Sequence, residues 1–403
     1  MSSALRSART GSAMVFAANG ALFASFVSRL PDIRSALALS NGGLGLLLLC
    51  AAAGSVAALP FAGPVVTRFG PTVVVRVATV VCATALFLAA VFVVTGVVWL
   101  VAVMLAGYGC TMSTWDVAMN VEGAEVERRL RRTTLPQLHA MFSLGSVAGA
   151  LVGVPMAALQ LPLPVHLAGA AVLVTALSLS GTRAYLAERP RPASQAPTEH
   201  GEAARPGSGR SAFAAWREPR TVLLGVMVFA FAAVEGSAND WLTLAVIDGY
   251  DTPHWVGVAA YSTFVVAMTL GRLLGARAVD RFGRAPMLWG CTVCAFVGIL
   301  TVVYGGRLAL AFPAIVVWGI GGALGFPVGL GAAADDGARA AARVGVVSTI
   351  GYTAFLAFPP LLGALGDRVG TLDSLVVIAC LMLPAAITVT AARPPRVADS
   401  LVR

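Results

Sequence analysis

Twelve apolar runs, each long enough to cross a lipid bilayer, constrain the fold of this chain more than any other feature. A membrane-spanning helix needs about 20 mostly apolar residues. The runs lack the alternating pattern that is typical of strands in a membrane barrel. The sequence therefore predicts an all-α membrane protein with twelve transmembrane helices. The predicted spans cover residues 12–29, 41–66, 72–94, 97–120, 139–159, 163–182, 221–244, 256–279, 286–304, 308–333, 344–364 and 372–391.

The charge content supports this prediction and excludes nucleic-acid binding as the main function. Of the 403 residues, 58% are hydrophobic and 12% are charged, and the mean hydropathy is +0.84. Soluble domains carry about 25% charged residues. All 28 basic residues are arginines, which leave a net charge of +9. They lie in short stretches between the apolar runs, so we expect a lipid bilayer and no nucleic acid as the partner.

The arginines are distributed unevenly between the two sides of the predicted membrane protein. Most of them lie before the first span, after the even-numbered spans or after the last span. The opposite side carries only Arg29, Arg34, Arg307 and Arg368. Because cytoplasmic loops carry an excess of basic residues, this pattern predicts a multi-pass protein of the cytoplasmic (inner) membrane with both termini in the cytoplasm.

A polar stretch divides the chain into two related parts. Residues 188–220 are rich in Pro, Arg, Ser, Gly and Glu, a composition that is typical of a solvated linker. The predicted organisation is an N-terminal six-helix bundle (1–187), a cytoplasmic linker (188–220) and a C-terminal six-helix bundle (221–403). An Arg-Phe-Gly turn follows the second span at Arg68 and recurs after the eighth span at Arg281. Two parallel repeats are the plan of a secondary transporter, with the ligand site between them.

The loops that contain these turns resemble the loop motif of the major facilitator superfamily. The matching residues are Gly63, Arg68, Gly70, Asp280, Arg281, Gly283 and Arg284. The resemblance implies that this motif helps to latch one conformation. The first copy has Thr67 where the family has an acidic residue, and the second copy has Ala276 where the family has Gly.

Other segments resemble the proton-coupled fucose, galactose and glucose permease branch of that superfamily. The fourth span has Asp116 followed by Asn120, the seventh has Glu235 followed by Trp241, and the tenth has a Gly-x-Gly before Phe326. The first span departs from the branch, because no acidic residue follows closely after its asparagine. The chain also resembles a set of uncharacterised bacterial inner-membrane facilitators.

Three acidic residues lie inside the predicted spans and away from the loop ends, namely Asp116, Glu235 and Asp240. A carboxylate at the bilayer centre costs about 2.5–3.5 kcal/mol on insertion scales, so it normally faces a cavity or a partner. Removal from water favours the neutral form of a carboxyl group, which suits a group that gains and loses a proton. We therefore predict Asp116 and Glu235 as proton-coupling residues. The alternative is that these acids pair structurally with Arg, Ser or backbone groups.

Amide and aromatic side chains near these acids are candidates for substrate binding. Asn120 and Asn239 each follow an acidic residue by four positions and therefore share its helix face. Amides can bond hydroxyl groups, and aromatic faces can stack on a sugar ring or an aromatic compound. The predicted substrate-binding residues are Asn19, Asn120, Asn239, Trp241, Trp115, Phe326 and Asp240, with Tyr108 and Tyr352 as further aromatic candidates. The alternative is that the aromatic residues pack in the core or mark interfaces.

The sequence contains none of the patterns of an enzyme, a nucleotide site or a metal centre. The six cysteines lie in apolar runs without nearby histidines, so we expect no metal and no cofactor. The charged run from Glu122 to Arg132 after the fourth span is interpreted as a solvated turn.

These observations predict a monomeric transporter that moves a small organic solute by alternating access. The first hypothesis is uptake of a sugar-like compound together with a proton, as the resemblance implies. The second is proton-driven efflux of amphiphilic compounds. A transporter-fold sensor that does not transport is a third hypothesis.

Overall fold

A computed structural model of the chain describes residues 3–131, 134–186, 214–335 and 339–393. Within these residues there is no strand, and twelve helical segments are long and apolar enough to cross a membrane. The predicted fold class is confirmed. The helices are α1 (Ser3–Val27), α2 (Leu30–Ala36), α3 (Asn41–Phe69), α4 (Pro71–Thr95), α5 (Val98–Leu130), α6 (Leu135–Ala158), α7 (Leu163–Thr182), α8 (Pro219–Tyr250), α9 (His254–Phe282), α10 (Arg284–Tyr304), α11 (Leu308–Gly322), α12 (Gly325–Ala333), α13 (Ala340–Val369), α14 (Thr371–Ser374) and α15 (Val376–Thr388), followed by a 3₁₀ turn at Val389–Ala392.

Helices α1–α7 form the N-terminal half and helices α8–α15 form the C-terminal half. Most of the predicted linker (188–220) lies outside the described residues, which resume at residue 214. Small residues allow helices within a half to approach closely. A Cβ atom added to Gly145 of α6 would lie 2.0 Å from the Ala17 carbonyl oxygen of α1, and one added to Gly149 would lie 2.5 Å from that of Ala21. The glycines of α6 therefore hold α1 and α6 in backbone contact.

The tenth span is interrupted, although its sequence predicts one continuous helix over residues 308–333. Helix α11 ends at Gly322 and α12 begins at Gly325. Glycine is a poor helix former, and Pro327 lacks the N–H group that would bond the Ala323 carbonyl oxygen four residues earlier. Broken helices of this kind often form the binding sites of transporters.

Helix α5 extends well beyond the predicted fourth span and corrects the interpretation of the charged run. The helix continues to Leu130, and Glu122 is only 2% exposed. Its Oε1 atom accepts a hydrogen bond of 2.8 Å from the Leu186 main-chain nitrogen. The first part of this run is therefore a buried helical segment that anchors the end of the sixth span, and it is not a solvated turn.

The two halves meet where α3 packs on α13 and where α6 packs on α9. A Cβ atom on Gly45 would lie 2.5 Å from the Pro359 carbonyl oxygen, and one on Gly363 would lie 2.4 Å from that of Asn41. These contacts lie toward the end of the molecule that carries the α2–α3, α8–α9 and α13–α14 connections. We call it the closed end. The opposite end, which carries the N-terminus and the start of α8, is called the linker end.

Candidate functional site

The site begins with Asp116, which lies about midway along α5 and is exposed to open space. The Asn120 Nδ2 atom donates to the Asp116 carbonyl oxygen at 2.9 Å and to its Oδ1 atom at 3.3 Å. No arginine in the described part of the chain forms an ion pair with Asp116. The Oδ1 atom of Asn120 is buried and accepts no hydrogen bond. The pair therefore places a carboxylate without a cationic partner beside an unbonded, buried amide oxygen on one helix face.

The second acidic residue, Glu235 of α8, is held by an arginine that the sequence analysis missed. The Arg272 Nη2 atom of α9 lies 2.8 Å from the Glu235 Oε2 atom. The Arg272 Nε atom donates to the Ala323 carbonyl oxygen at 3.4 Å, which is the oxygen left free by the helix break. Arg272 therefore ties α8 to the interrupted tenth span. Its position inside the predicted span 256–279, several residues from either end, was a signal for it in the sequence.

Tyr352 of α13 lies near both acidic residues at the interface between the halves. It lies within electrostatic range of both Asp116 and Glu235 and is 46% exposed. Its ring centre is 5.8 Å from that of Phe326 and 6.3 Å from that of Phe355. The exposed Asp116 of the N-terminal half thus lies near an aromatic cluster of the C-terminal half. Phe326 and Tyr352 are the predicted aromatic residues that belong to this cluster.

Several predicted binding residues lie in the core in this conformation. Trp115 and Trp241 are fully buried, and Asn19 and Asn239 are 2% and 9% exposed. Tyr108 is also buried. The structure therefore places these side chains among packed helices and not on the open face beside Asp116. The rotation of each helix decides this placement, and the residue spacing alone does not reveal it.

Asp240 is partly exposed on α8, one turn beyond Glu235 toward the closed end. No ion pair to it is present in the part of the chain that the structure describes. Tyr261 of α9 lies within electrostatic range of both Asp240 and Glu235, and its hydroxyl group is buried without a partner. These three residues form a polar patch between α8 and α9.

A network of side chains joins the halves at the closed end. Arg34 of the N-terminal half binds Asp248 of the C-terminal half through two hydrogen bonds of 2.5 and 2.6 Å. The Asp367 carboxylate accepts the main-chain N–H groups of Asn41 and Gly42 at 2.7 and 2.9 Å. It therefore caps the first turn of α3 from the other half, where a negative charge is favourable. Sequence analysis did not predict this network.

The loop motif at the linker end does not join the two halves in the described structure. Arg68 stacks over Phe69 at 5.4 Å, and Arg281 stacks over Phe282 at 5.3 Å, so the two copies share one local geometry. Asp280 is exposed and forms no ion pair within the described residues.

Ion pairs at the linker end instead lie within each half, and in the N-terminal half Glu125 binds Arg128 (2.5 Å) and Arg129 (2.6 Å). Asp335 binds both Arg284 (2.7 Å) and Arg220 (2.9 Å). Glu218 binds Arg343 (2.5 Å) and Arg339 (2.8 Å). The hydrogen bond from Arg343, with the positive charges of both arginines, lowers the pKa of Glu218 below its ordinary value.

Two related helical bundles around a polar centre define a membrane transporter built on two repeats. The sequence profile of the Major Facilitator Superfamily matches residues 12–352, and the chain belongs to that family. Members of this family are generally transporters and not enzymes.

Two relatives match most of the chain. An uncharacterised MFS-type transporter of Yersinia pestis is 29% identical over 359 residues, which cover 87% of this chain and 86% of the relative. An uncharacterised transporter of Sinorhizobium fredii is 28% identical over 360 residues, which cover 89% of this chain and 90% of the relative.

Solved transporters share the fold at low sequence identity. One is a bacterial homologue of the human lysosomal transporter Spinster in an inward-facing and unoccupied conformation. It has a TM-score of 0.78 at 12% identity, and the match covers 97% of this chain and 98% of the homologue. A mutant of the nucleoside transporter NupG has a TM-score of 0.76 at 14% identity. The match covers 96% of this chain and 99% of the NupG chain. A D-xylose–proton symporter has a TM-score of 0.71 at 15% identity. The match covers 96% of this chain and 97% of the symporter chain.

Proposed function

We propose that this protein takes up a small polyhydroxylated solute together with a proton. The observation that carries the proposal is the exposed Asp116 carboxylate, which has no cationic partner in the described residues and lies beside the unbonded amide oxygen of Asn120. A carboxylate without a fixed counter-charge inside a membrane span favours proton binding. Its amide neighbour can accept a hydrogen bond from a substrate hydroxyl group.

The two acidic residues have different roles in this proposal. Glu235 is held by Arg272 in this conformation, so the ion pair must open before its carboxylate can take part in coupling. Asp116 has no such competitor and is the first proton acceptor. Tyr352, which lies between them, is placed to contact a solute that bridges the halves.

The observed conformation corresponds to one stage of an alternating-access cycle. The Arg34–Asp248 and Asp367 contacts join the halves at the closed end. The arginine distribution favours the linker end as the cytoplasmic side. We therefore assign this state as closed to the outside, with Asp116 accessible from the cytoplasm.

The proposal is tested with purified protein in liposomes that contain a trapped pH dye. Monosaccharides, nucleosides and amphiphilic cations are added outside, one at a time, without an imposed gradient. Nucleosides and xylose enter the panel because two transporters of the same fold are described by these substrates. Symport predicts that the lumen acidifies when a polyhydroxylated solute is added.

The sign of the pH change separates the candidate functions. An alkaline shift in the lumen on addition of a cation would contradict the proposal and establish an efflux antiporter. Stabilisation of the protein by a solute that produces no flux in counterflow would instead identify a sensor.

A further inference from the structure

A cleft on the N-terminal half lies apart from the central site. It is located at the linker end, where the start of α4 meets the end of α7, and its volume is about 310 Å³. Arg76, Arg183, Thr182 and Tyr185 contribute to its lining, together with Thr72 in the first turn of α4. No carboxylate is among the side chains that line it.

The polar groups of this cleft are incompletely bonded. Arg76 donates its Nε atom to the Thr182 hydroxyl oxygen at 2.9 Å, and its two terminal nitrogens form no bond in the described part of the chain. The exposed Arg183 guanidinium also forms none there. The Tyr185 side chain is nine-tenths buried, and its hydroxyl group has no partner.

The first turn of α4 adds to this positive potential. Its N-cap, Gly70, supplies no side-chain acceptor, so N–H groups of that turn remain free. Two guanidinium groups, a helix N-terminus and a hydroxyl donor that share one cleft favour a ligand with several anionic oxygens.

The same place in the C-terminal half is filled. The offset between the two Arg-Phe-Gly turns aligns Arg76 with Trp289. The Trp289 Nε1 atom donates to the Ala386 carbonyl oxygen at 2.9 Å, and Arg393 stacks over its ring at 5.6 Å. Arg284, near the start of that helix, is neutralised by Asp335. The cleft with unpaired guanidinium groups is therefore a feature of the N-terminal half, and the Glu122 carboxylate beside it is bonded to the Leu186 main-chain nitrogen.

The surroundings of the cleft indicate a lipid and not a soluble anion. Val73, Val77, Val80 and Val81 of α4 are between 44% and 58% exposed. Their spacing places them on one helix face, and Arg76 lies on that same face. The basic cleft thus continues directly into an apolar strip that runs along the membrane span.

We propose that this cleft binds the phosphate group of an anionic glycerophospholipid, with an acyl chain along the valine face of α4. Arg76 and Arg183 bind the phosphate oxygens, and Thr72 and Tyr185 add hydrogen-bond donors. Basic pockets between transmembrane helices on the cytoplasmic side bind the headgroups of anionic lipids in this way.

The test measures lipid binding to the purified full-length protein by native mass spectrometry and by the shift in melting temperature. The probes are phosphatidylglycerol, phosphatidylcholine, free glycerol phosphate and inorganic phosphate. We expect phosphatidylglycerol to bind and stabilise the protein, phosphatidylcholine to bind more weakly, and both soluble phosphates to have no effect at equal concentration.

The variants R76Q and R183Q should each weaken phosphatidylglycerol binding about fivefold, the effect of one basic residue near an anionic headgroup. The control is R277Q, which removes an exposed arginine of α9 that also lies at the linker end. This variant should leave lipid binding unchanged. Arg183 is exposed, so R183Q tests the site without disturbing the core.

Three results would overturn the proposal. These are equal binding of phosphatidylglycerol and phosphatidylcholine, unchanged binding in R183Q and R76Q, and binding of a soluble phosphate as tight as that of the lipid. Because the readout is lipid binding and not transport, it is independent of the proposed solute and of Asp116.

Discussion

The two halves of the protein share a fold but differ in how their charges are satisfied. In the C-terminal half, Glu235 pairs with Arg272, while Asp335 and Glu218 each bind two arginines. In the N-terminal half, Glu125 also binds two arginines, but Asp116 has no cationic partner in the described residues, and no carboxylate lines the Arg76 cleft. The difference is thus sharpest inside the spans, where Glu235 of the C-terminal half is paired with an arginine and Asp116 of the N-terminal half is not.

The largest expected effect on stability is at the Glu235–Arg272 pair. Arg272→Gln leaves the Glu235 carboxylate unpaired within the span and frees the Ala323 carbonyl oxygen. We expect a loss of about 2 kcal/mol in the free energy of unfolding, below the value for a fully buried pair, because the remaining partner of this partly buried pair is left uncompensated. Denaturant unfolding of the purified protein measures it.

A double variant sharpens this prediction. Adding Glu235→Gln should recover most of the loss, because the uncompensated charge is then removed. Arg277→Gln, at an exposed arginine of the same helix, is the control and should change stability by less than about 0.5 kcal/mol. If Arg272→Gln changes the free energy of unfolding as little as this control, the Glu235–Arg272 ion pair does not stabilise the C-terminal half.

The next effect concerns the contact between the halves at the closed end. Arg34→Asp places an acidic residue opposite Asp248, and close like charges repel. We expect the ratio of the closed state to the open state to fall about tenfold. The exchange variant Arg34→Asp with Asp248→Arg should restore it. Distances between spin labels on Ala38 and Thr252, in a background without the native cysteines, report the two populations. Identical distance distributions in all three proteins would show that the ion pair does not hold this end.

The smallest expected effect is the pH dependence of the Glu218 cluster. The pKa of Glu218 is lower in the folded protein than the ordinary value of about 4.3 for a glutamate. The ion pairs therefore stabilise the fold above that pH, and their contribution is lost as the pH falls through the lowered pKa. For a pair at the surface we expect less than about 1 kcal/mol. Glu218→Gln should remove this part of the pH dependence of the melting temperature, and an unchanged acid limb would contradict the assignment.

The sequence predicts the twelve spans because membrane insertion depends on the local density of apolar residues. The break between α11 and α12 escapes this reasoning, since an average over the tenth run hides the local effect of Gly322, Gly325 and Pro327. Residue spacing correctly places Asn120 beside Asp116, because four residues make about one helical turn. It does not predict that Trp115 faces the core, which depends on how α5 is rotated against its neighbours.

Long-range pairs explain most of what the sequence did not predict. Arg34 and Asp248 lie 214 residues apart and meet only because the two halves pack together. Arg272 is a different case, because its signal is local and needs no long-range contact. An arginine in an apolar run is costly in the same way as an acid, so its presence predicts a partner such as Glu235.

Substrate-driven proton flux in Asp116→Asn tests the central claim that the proton site lies in the N-terminal half. The variant is compared with wild type and with Asp373→Asn, which changes an exposed carboxylate at the start of the twelfth span. Liposomes with a trapped pH dye report the proton movement, and counterflow of labelled solute reports exchange. We expect Asp116→Asn to retain counterflow but to lose solute-driven acidification of the lumen, while Asp373→Asn retains both. Acidification of wild-type size and pH dependence in Asp116→Asn would contradict the account.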